Sequence, residues 1–163
     1  VPDDYLAAYC ASSQAAKDMA AGLAEAVATR MPGPNVSQED LRNRSWWTGA
    51  EVFVVVDDYD LVATSMDNPL ADFSRLVQQA ADIGLHMIIG RGMGGAGRAA
   101  FGDQIIARMR DSQAPALIMS GPKDEGALVG DVKPSTLPPG RGTLVTRSQK
   151  VMIQTVNSPE KEF

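Results

Sequence analysis

The sequence predicts an α/β fold, with a parallel sheet followed by a C-terminal β-hairpin. Three observations carry this. Residues 52–56 form a continuous apolar run, as in a strand buried on both faces of a parallel sheet, and 85–89, apolar apart from His86, and 115–119 read as two further strands. Helical patterns lie between these runs, and the order strand, helix, strand, helix, strand implies right-handed crossovers. Near the end, 142–147 and 150–156 flank a short turn and read as a hairpin.

The elements follow in order. Residues 12–30 read as a helix capped by Ser12 or Ser13, with Ala16, Ala20, Leu23 and Val27 on one face and Pro32-Gly33-Pro34 as the stop. Ser37 caps a short helical turn through Leu41. Trp46-Trp47 and the turn Thr48-Gly49 lead into the first strand. Asn68-Pro69 opens a second helix, cap residue then proline, whose stripe is Leu70, Phe73, Val77 and Ala80 and whose end is Gly84. A glycine-rich loop from Gly90 to Gly97 precedes a helix over about 99–111. Residues 157–163 are polar and read as a loose tail.

Composition sets bounds. A chain of 163 residues, 44% apolar and 21% charged, is long enough for a real core. A net charge of −5 argues against a wide nucleic-acid face, although Arg91, Arg98, Arg108 and Arg110 leave room for a local anion site. The single cysteine, Cys10, excludes an intramolecular disulfide and a Cys-rich zinc site. Its Ala-rich surroundings suit a small buried side chain better than a nucleophile. No apolar run reaches the ~18 residues of a membrane span, and no signal peptide is visible, so a cytosolic setting is the default.

The first strand runs directly into Asp57 and Asp58. Carboxylates at the C-terminal end of a parallel strand sit where α/β proteins bind ligands. A strand ending in Asp can hold the Mg²⁺ of a nucleotide, with the next acid aligning the attacking water. The plainer reading is that both residues cap a loop, and on this stretch alone the two readings weigh equally.

The loop Gly90-Arg91-Gly92-Met93-Gly94-Gly95-Ala96-Gly97-Arg98 matches two phosphate-binding spacings, both weakly. Gly90, Gly92 and Gly95 satisfy G-x-G-x-x-G, but the next strand ends in Ser120-Gly121 without the acid a dinucleotide site needs. Gly92 and Gly97 satisfy G-x-x-x-x-G, but Arg98-Ala99 stands where Lys-Ser/Thr is required, so the sequence contains no true Walker A. A glycine-rich loop at a subunit boundary, with Arg91 or Arg98 projecting, fits at least as well. His86, the only histidine, lies within a strand and reads as a hydrogen-bonded structural residue, since it has no partners for a metal. Trp46-Trp47 read as packing groups over a sheet edge or face. Met93 reads as an exposed loop residue in an adaptable apolar patch.

Several strings carry a family resemblance. Asp82-Ile83-Gly84-Leu85-His86-Met87-Ile88-Ile89 resembles the strand that follows the Walker B helix of FtsK/SpoIIIE-type motors. Leu137-Pro138-Pro139-Gly140-Arg141-Gly142-Thr143-Leu144-Val145 resembles their terminal Gly-Arg-Gly-x-x-Leu segment. Tyr5-Leu6-Ala7-Ala8-Tyr9, Arg44-Ser45-Trp46-Trp47-Thr48-Gly49 and Val54-Val55-Val56-Asp57-Asp58-Tyr59-Asp60 narrow the resemblance to the last ATPase domain of the EccC/EccCb motors of mycobacterial type VII (ESX) secretion.

That resemblance implies a RecA-like P-loop NTPase core, of which residues 1–156 are the second half, the Walker A half preceding them, and 157–163 a flexible tail. It implies ATP and Mg as cofactors. Asp57 becomes the Walker B residue, binding Mg²⁺ through water, and Asp58 stands where the catalytic Glu is usual, one methylene short, which weakens general-base geometry. The Gln-Arg sensor of the DNA motors is replaced by Arg91-Gly92-Met93. Arg91 and Arg98 become candidates for contacting a neighbour's phosphates. The implied partners are WXG100-type export substrates and other ATPase domains or subunits of an oligomeric, hexameric motor. That motor lies in the cytoplasm at the inner face of the membrane, which it touches only through a partner subunit. A substrate groove is to be sought at 90–101 and 115–130. The rival reading is a non-catalytic docking and oligomerisation module with a degenerate nucleotide site. A DNA translocase of the same fold is disfavoured by the net charge and the lack of a basic winged-helix tail, and a Rossmann oxidoreductase by the missing acid.

Overall fold

The computed structural model describes residues 3–64 and 67–156. The chain packs as two compact units, Val1–Arg91 and Gly92–Phe163. The predicted tail at 157–163 lies outside the described residues.

In the first unit, α1 spans Ser13–Ala28, and the Ser12 hydroxyl accepts the Ala15 N–H as its cap. Ala20, Ala24 and Val27 form its buried face. α2 (Gln38–Asn43) starts from a reciprocal cap. The Ser37 hydroxyl accepts the Asp40 N–H at 3.0 Å and donates to the Asp40 carboxylate at 2.6 Å, which also accepts from the Ser45 hydroxyl at 2.8 Å. The Ser37 hydroxyl bond first, then that of Ser45, holds the Asp40 carboxyl below its ordinary range. A carboxylate depressed in the folded state stabilises above its unfolded pKa and stops doing so as pH falls through the folded value. Circular dichroism at falling pH is therefore expected to show α2 fraying only below the usual Asp range.

β1 (Val52–Val56) and β2 (Leu85–Ile89) pair in parallel, Val52 opposite Leu85 through Val56 opposite Ile89. β1 was expected to be buried on both faces and is not. Burial alternates, with Phe53 61% and Val55 68% exposed beside Ile88 at 55%. A run of apolar residues carries no periodicity that distinguishes one covered face from two. His86 lies on this open face, opposite Phe53. Its ring stacks on Phe53 at 4.5 Å, and its Nε2 lies 3.2 Å from a Glu51 carboxylate oxygen, a structural arrangement.

The segment predicted as one helix after Asn68-Pro69 forms two 3₁₀ turns, Ala71–Arg75 and Val77–Ile83. The apolar spacing explains it. Leu70, Phe73 and Leu76, then Val77, Ala80 and Ile83, recur every third residue, the 3₁₀ period. Gly84 ends the segment at φ +66°. There the two tryptophans do their packing, against helix ends rather than a sheet. The Trp46 indole N–H donates to the Arg30 carbonyl and that of Trp47 to the Asp82 carbonyl, each at 2.7 Å. The Arg30 guanidinium lies 4.6 Å from the Trp47 ring centroid and donates to the Ile83 carbonyl. A Cβ at Gly84 would collide with the Trp47 ring. Gly84→Ala combines that collision with a left-handed backbone, and chemical denaturation is expected to show a loss of about 2 kcal/mol or more.

In the second unit, the helix predicted over 99–111 is two, α4 (Ala96–Gly102) and α5 (Gln104–Asp111). Asp103 breaks them apart, because its carboxylate caps α5 by accepting the Ile105 and Ile106 N–H groups, both at 2.9 Å. The strand expected to extend the parallel sheet instead joins an antiparallel one. β3 (Ala116–Ile118) pairs with β4 (Arg141–Val145), which pairs with β5 (Lys150–Gln154) as the predicted hairpin. The exposed Leu117 between half-buried Ala116 and buried Ile118 suits an antiparallel sheet with one open face. Ala96, Ile118, Leu128 and Val145 form the core of this unit. Met93, expected in an exposed patch, packs against that core and fills the space beside Gly121.

Candidate functional site

The end of β1 is a strained, tightly held turn. Asp57 Oδ1 accepts the Asp58 N–H at 3.0 Å, and Asp58 has left-handed backbone, φ +46°. A non-glycine residue pays for that conformation in free energy and keeps it only where neighbours fix it. Here they do. The Gly90 N–H donates to the Val56 carbonyl at 2.8 Å, and the Tyr59 N–H donates to the Gly90 carbonyl at 2.9 Å, tying the turn to the end of β2. Tyr59, the first residue of α3 (Tyr59–Val62), is 1% exposed, and its hydroxyl accepts from the Asn68 side-chain amide at 2.8 Å. The result is two exposed carboxylates presented from a fixed backbone.

Gly90 closes the site. A Cβ there would lie 3.2 Å from Asp57 Oδ1, tighter than ordinary contact. Gly90→Ala is expected to displace the Asp57 carboxylate and loosen the turn, read as faster amide exchange at Asp58 and Tyr59.

Two amides of the glycine-rich loop are taken by a side chain of the chain itself. The Gly95 N–H donates to Glu125 Oε1 at 2.8 Å and the Gly97 N–H to Glu125 Oε2 at 2.9 Å. The phosphate-like spacing is filled by the chain's own carboxylate. No local signal in the sequence links residues 95–97 to Glu125, almost thirty positions on. Arg98 is exposed and lines an open depression of about 470 Å³ with Gly95, Gly97, Phe101, Asp124 and Glu125, all within the two stretches where a substrate groove was sought. The Arg110 guanidinium covers the Phe101 ring at 4.2 Å. Arg91, half-buried, is the last residue of the first unit, and Arg98 belongs to the second. Thus Asp57, Asp58 and Gly90 come together in one unit, and Arg98 with Glu125 in the other.

The fit to Mg²⁺ and a nucleotide is partial. Among the described residues no group of three or more His, Cys, Asp or Glu is arranged to hold a metal, and a lone Asp57 suits an ion held through water and completed by phosphate oxygens. In the glycine-rich loop, Glu125 already takes the Gly95 and Gly97 amides that a phosphate would need. No helix of the described residues is long and apolar enough to cross a membrane.

No family model matches the sequence. Relatives do. The chain is 55% identical over 148 residues to the ESX secretion system protein EccC of Thermomonospora curvata, a match covering 90% of this chain and 11% of that protein. It is 44% identical over 160 residues to the ESX-4 secretion system protein EccC4 of Mycobacterium tuberculosis, covering 98% of this chain and 13% of that one. Among solved structures, the cytoplasmic domain of the Thermomonospora curvata type VII secretion ATPase EccC superposes with a TM-score of 0.88 at 53% identity, over 93% of this chain and 18% of that one. The Thermomonospora curvata EccC ATPases 2 and 3, in complex with a signal sequence peptide, also match with a TM-score of 0.88, over 93% of this chain and 27% of that one. The chain thus spans between about a tenth and a quarter of the length of these proteins. In sequence and in its α/β fold it belongs to the EccC family of type VII (ESX) secretion ATPases, matching one segment of its members.

Proposed function

We propose that this chain is the Walker B half of a nucleotide-binding domain in a type VII secretion motor, coupling ATP binding, with weak hydrolysis, to export of WXG100-type substrates. The observation that carries the reading is the turn after β1, where hydrogen bonds to Gly90 hold Asp57 and the left-handed Asp58 at the C-terminal end of a parallel strand. Asp57 would hold Mg²⁺ through water. Asp58 would orient the attacking water, less well than a longer Glu. When bound, Mg²⁺ would neutralise phosphate charge. Arg91 and Arg98 would meet the phosphates of a neighbouring subunit in an oligomeric, hexameric assembly at the cytoplasmic face of the membrane. The open face of Phe53, Val55 and Ile88 supports a half-domain reading, since parallel sheets are normally covered on both faces. The segment carrying Walker A is the proposed cover.

By itself the chain is expected not to hydrolyse ATP. The test is an ATPase assay of the isolated chain and its Asp57→Ala variant, and turnover that Asp57→Ala abolishes would refute the half-site reading. The second reading, a docking module, is favoured by the depression beside Arg98 and by the signal sequence peptide on the related EccC structure. Titration of a WXG100 C-terminal peptide separates the two, because a docking module binds it without nucleotide.

A further inference from the structure

The glycine-rich loop and Glu125 form a built arrangement outside the strand ends. The residue that precedes α4 as its N-cap is Gly95, which has left-handed backbone, φ +73°, and no side chain to cap the helix. Glu125 supplies that cap from a distant part of the chain, one carboxylate oxygen to each of the Gly95 and Gly97 N–H groups. Charge-assisted bonds of this kind are short and about twice as strong as neutral ones. Gly97 is required at its position, since a Cβ there would collide with the Glu125 carbonyl oxygen. The backbone is therefore fixed at the residue immediately before Arg98.

The ion pairs of the described residues leave Arg98 out, although Asp124 and Glu125 line the same depression. Each Glu125 oxygen already accepts a backbone N–H, so its charge is partly satisfied and competes less for the guanidinium. An arginine on a held backbone loses less conformational freedom on meeting an anion than one on a mobile loop.

We propose that Glu125 is a positioning residue that fixes the first turn of α4 so that Arg98 is presented to a phosphate of a neighbouring subunit. The inference rests on the reading of Arg98 as that phosphate contact. The experiment is a double-mutant cycle in the full-length ATPase carrying this sequence, with Arg98→Ala, Glu125→Gln and the pair. Gln keeps the size but leaves one oxygen where two accept. Arg98→Ala is expected to lower kcat at least tenfold. Glu125→Gln should lower kcat several-fold with KM for ATP unchanged, and the pair should be no slower than Arg98→Ala, because both act through one group. Amide exchange should quicken at Gly95 and Gly97 while β4 stays protected, showing that the fold survives. Losses that multiply in the pair, or a Glu125→Gln variant with unchanged kcat beside a slow Arg98→Ala, overturn the positioning role alone. No turnover in the parent protein, or an Arg98→Ala variant as fast as the parent, overturns the phosphate-contact reading and this inference with it.

Discussion

Replacing Asp57 with Ala in a chain extended at its N-terminus by about 100 residues, a typical domain's worth of sequence, is expected to weaken Mg-ATP binding at least tenfold by calorimetry. The chain without the extension is expected to show no binding at all. The reasoning is geometric. Asp57 stands at the strand end with Oδ1 accepting the Asp58 N–H, which restricts the rotation of its carboxylate. In the glycine-rich loop the Gly95 and Gly97 amides are held by Glu125 and are not open to a phosphate. Binding by the extended chain that Asp57→Ala leaves untouched would remove Asp57 from the site. Absence of binding in both forms would leave the docking reading. Asp58→Glu in the extended chain should raise turnover if the missing methylene limits the base, and a drop would show that the strained turn is built for Asp.

The largest stability effect is expected at Tyr59. Tyr59→Ala removes a side chain that is 1% exposed, at a cost of about 3–5 kcal/mol in urea unfolding. Tyr59→Phe keeps the ring and loses the acceptor for the Asn68 amide, at a cost of about 1 kcal/mol. The contrast isolates packing from hydrogen bonding. It also bears on the site, since the Tyr59 N–H tethers the Asp58 turn to the Gly90 carbonyl. In the extended chain, Tyr59→Phe should keep Mg-ATP affinity, because its backbone bond and ring remain. Equal losses for Phe and Ala would show that the hydroxyl, not the ring, holds α3.

Much of the chain was legible locally. Ser12 and Ser37 cap the helices that begin after them, Gly84 stops the segment before β2, and the hairpin read at 142–147 and 150–156 forms between Arg141–Val145 and Lys150–Gln154. These are short-range effects, in which a side chain bonds its own neighbours or a glycine adopts positive φ. The strand ending in Asp57 and Asp58 was legible for the same reason, since an apolar run followed by carboxylates is contiguous. The 3₁₀ character of 71–83 was present in the three-residue recurrence of Leu70, Phe73 and Leu76, and was missed because Leu76 was left out of the stripe.

Caps, turns, the strand ending at Asp57 and family strings such as Ser45-Trp46-Trp47-Thr48-Gly49 were readable from sequence because they are set within a few residues, whereas the segments 71–83 and 96–111 took another helical form than expected. Only the tertiary structure decided pairing and partners. It paired β3 with β4, left one face of β1 open, anchored the tryptophans to the Arg30 and Asp82 carbonyls, and put Glu125 into the glycine-rich loop. Each of these depends on which distant backbone groups find one another, and the spacing of residues along a chain does not encode it.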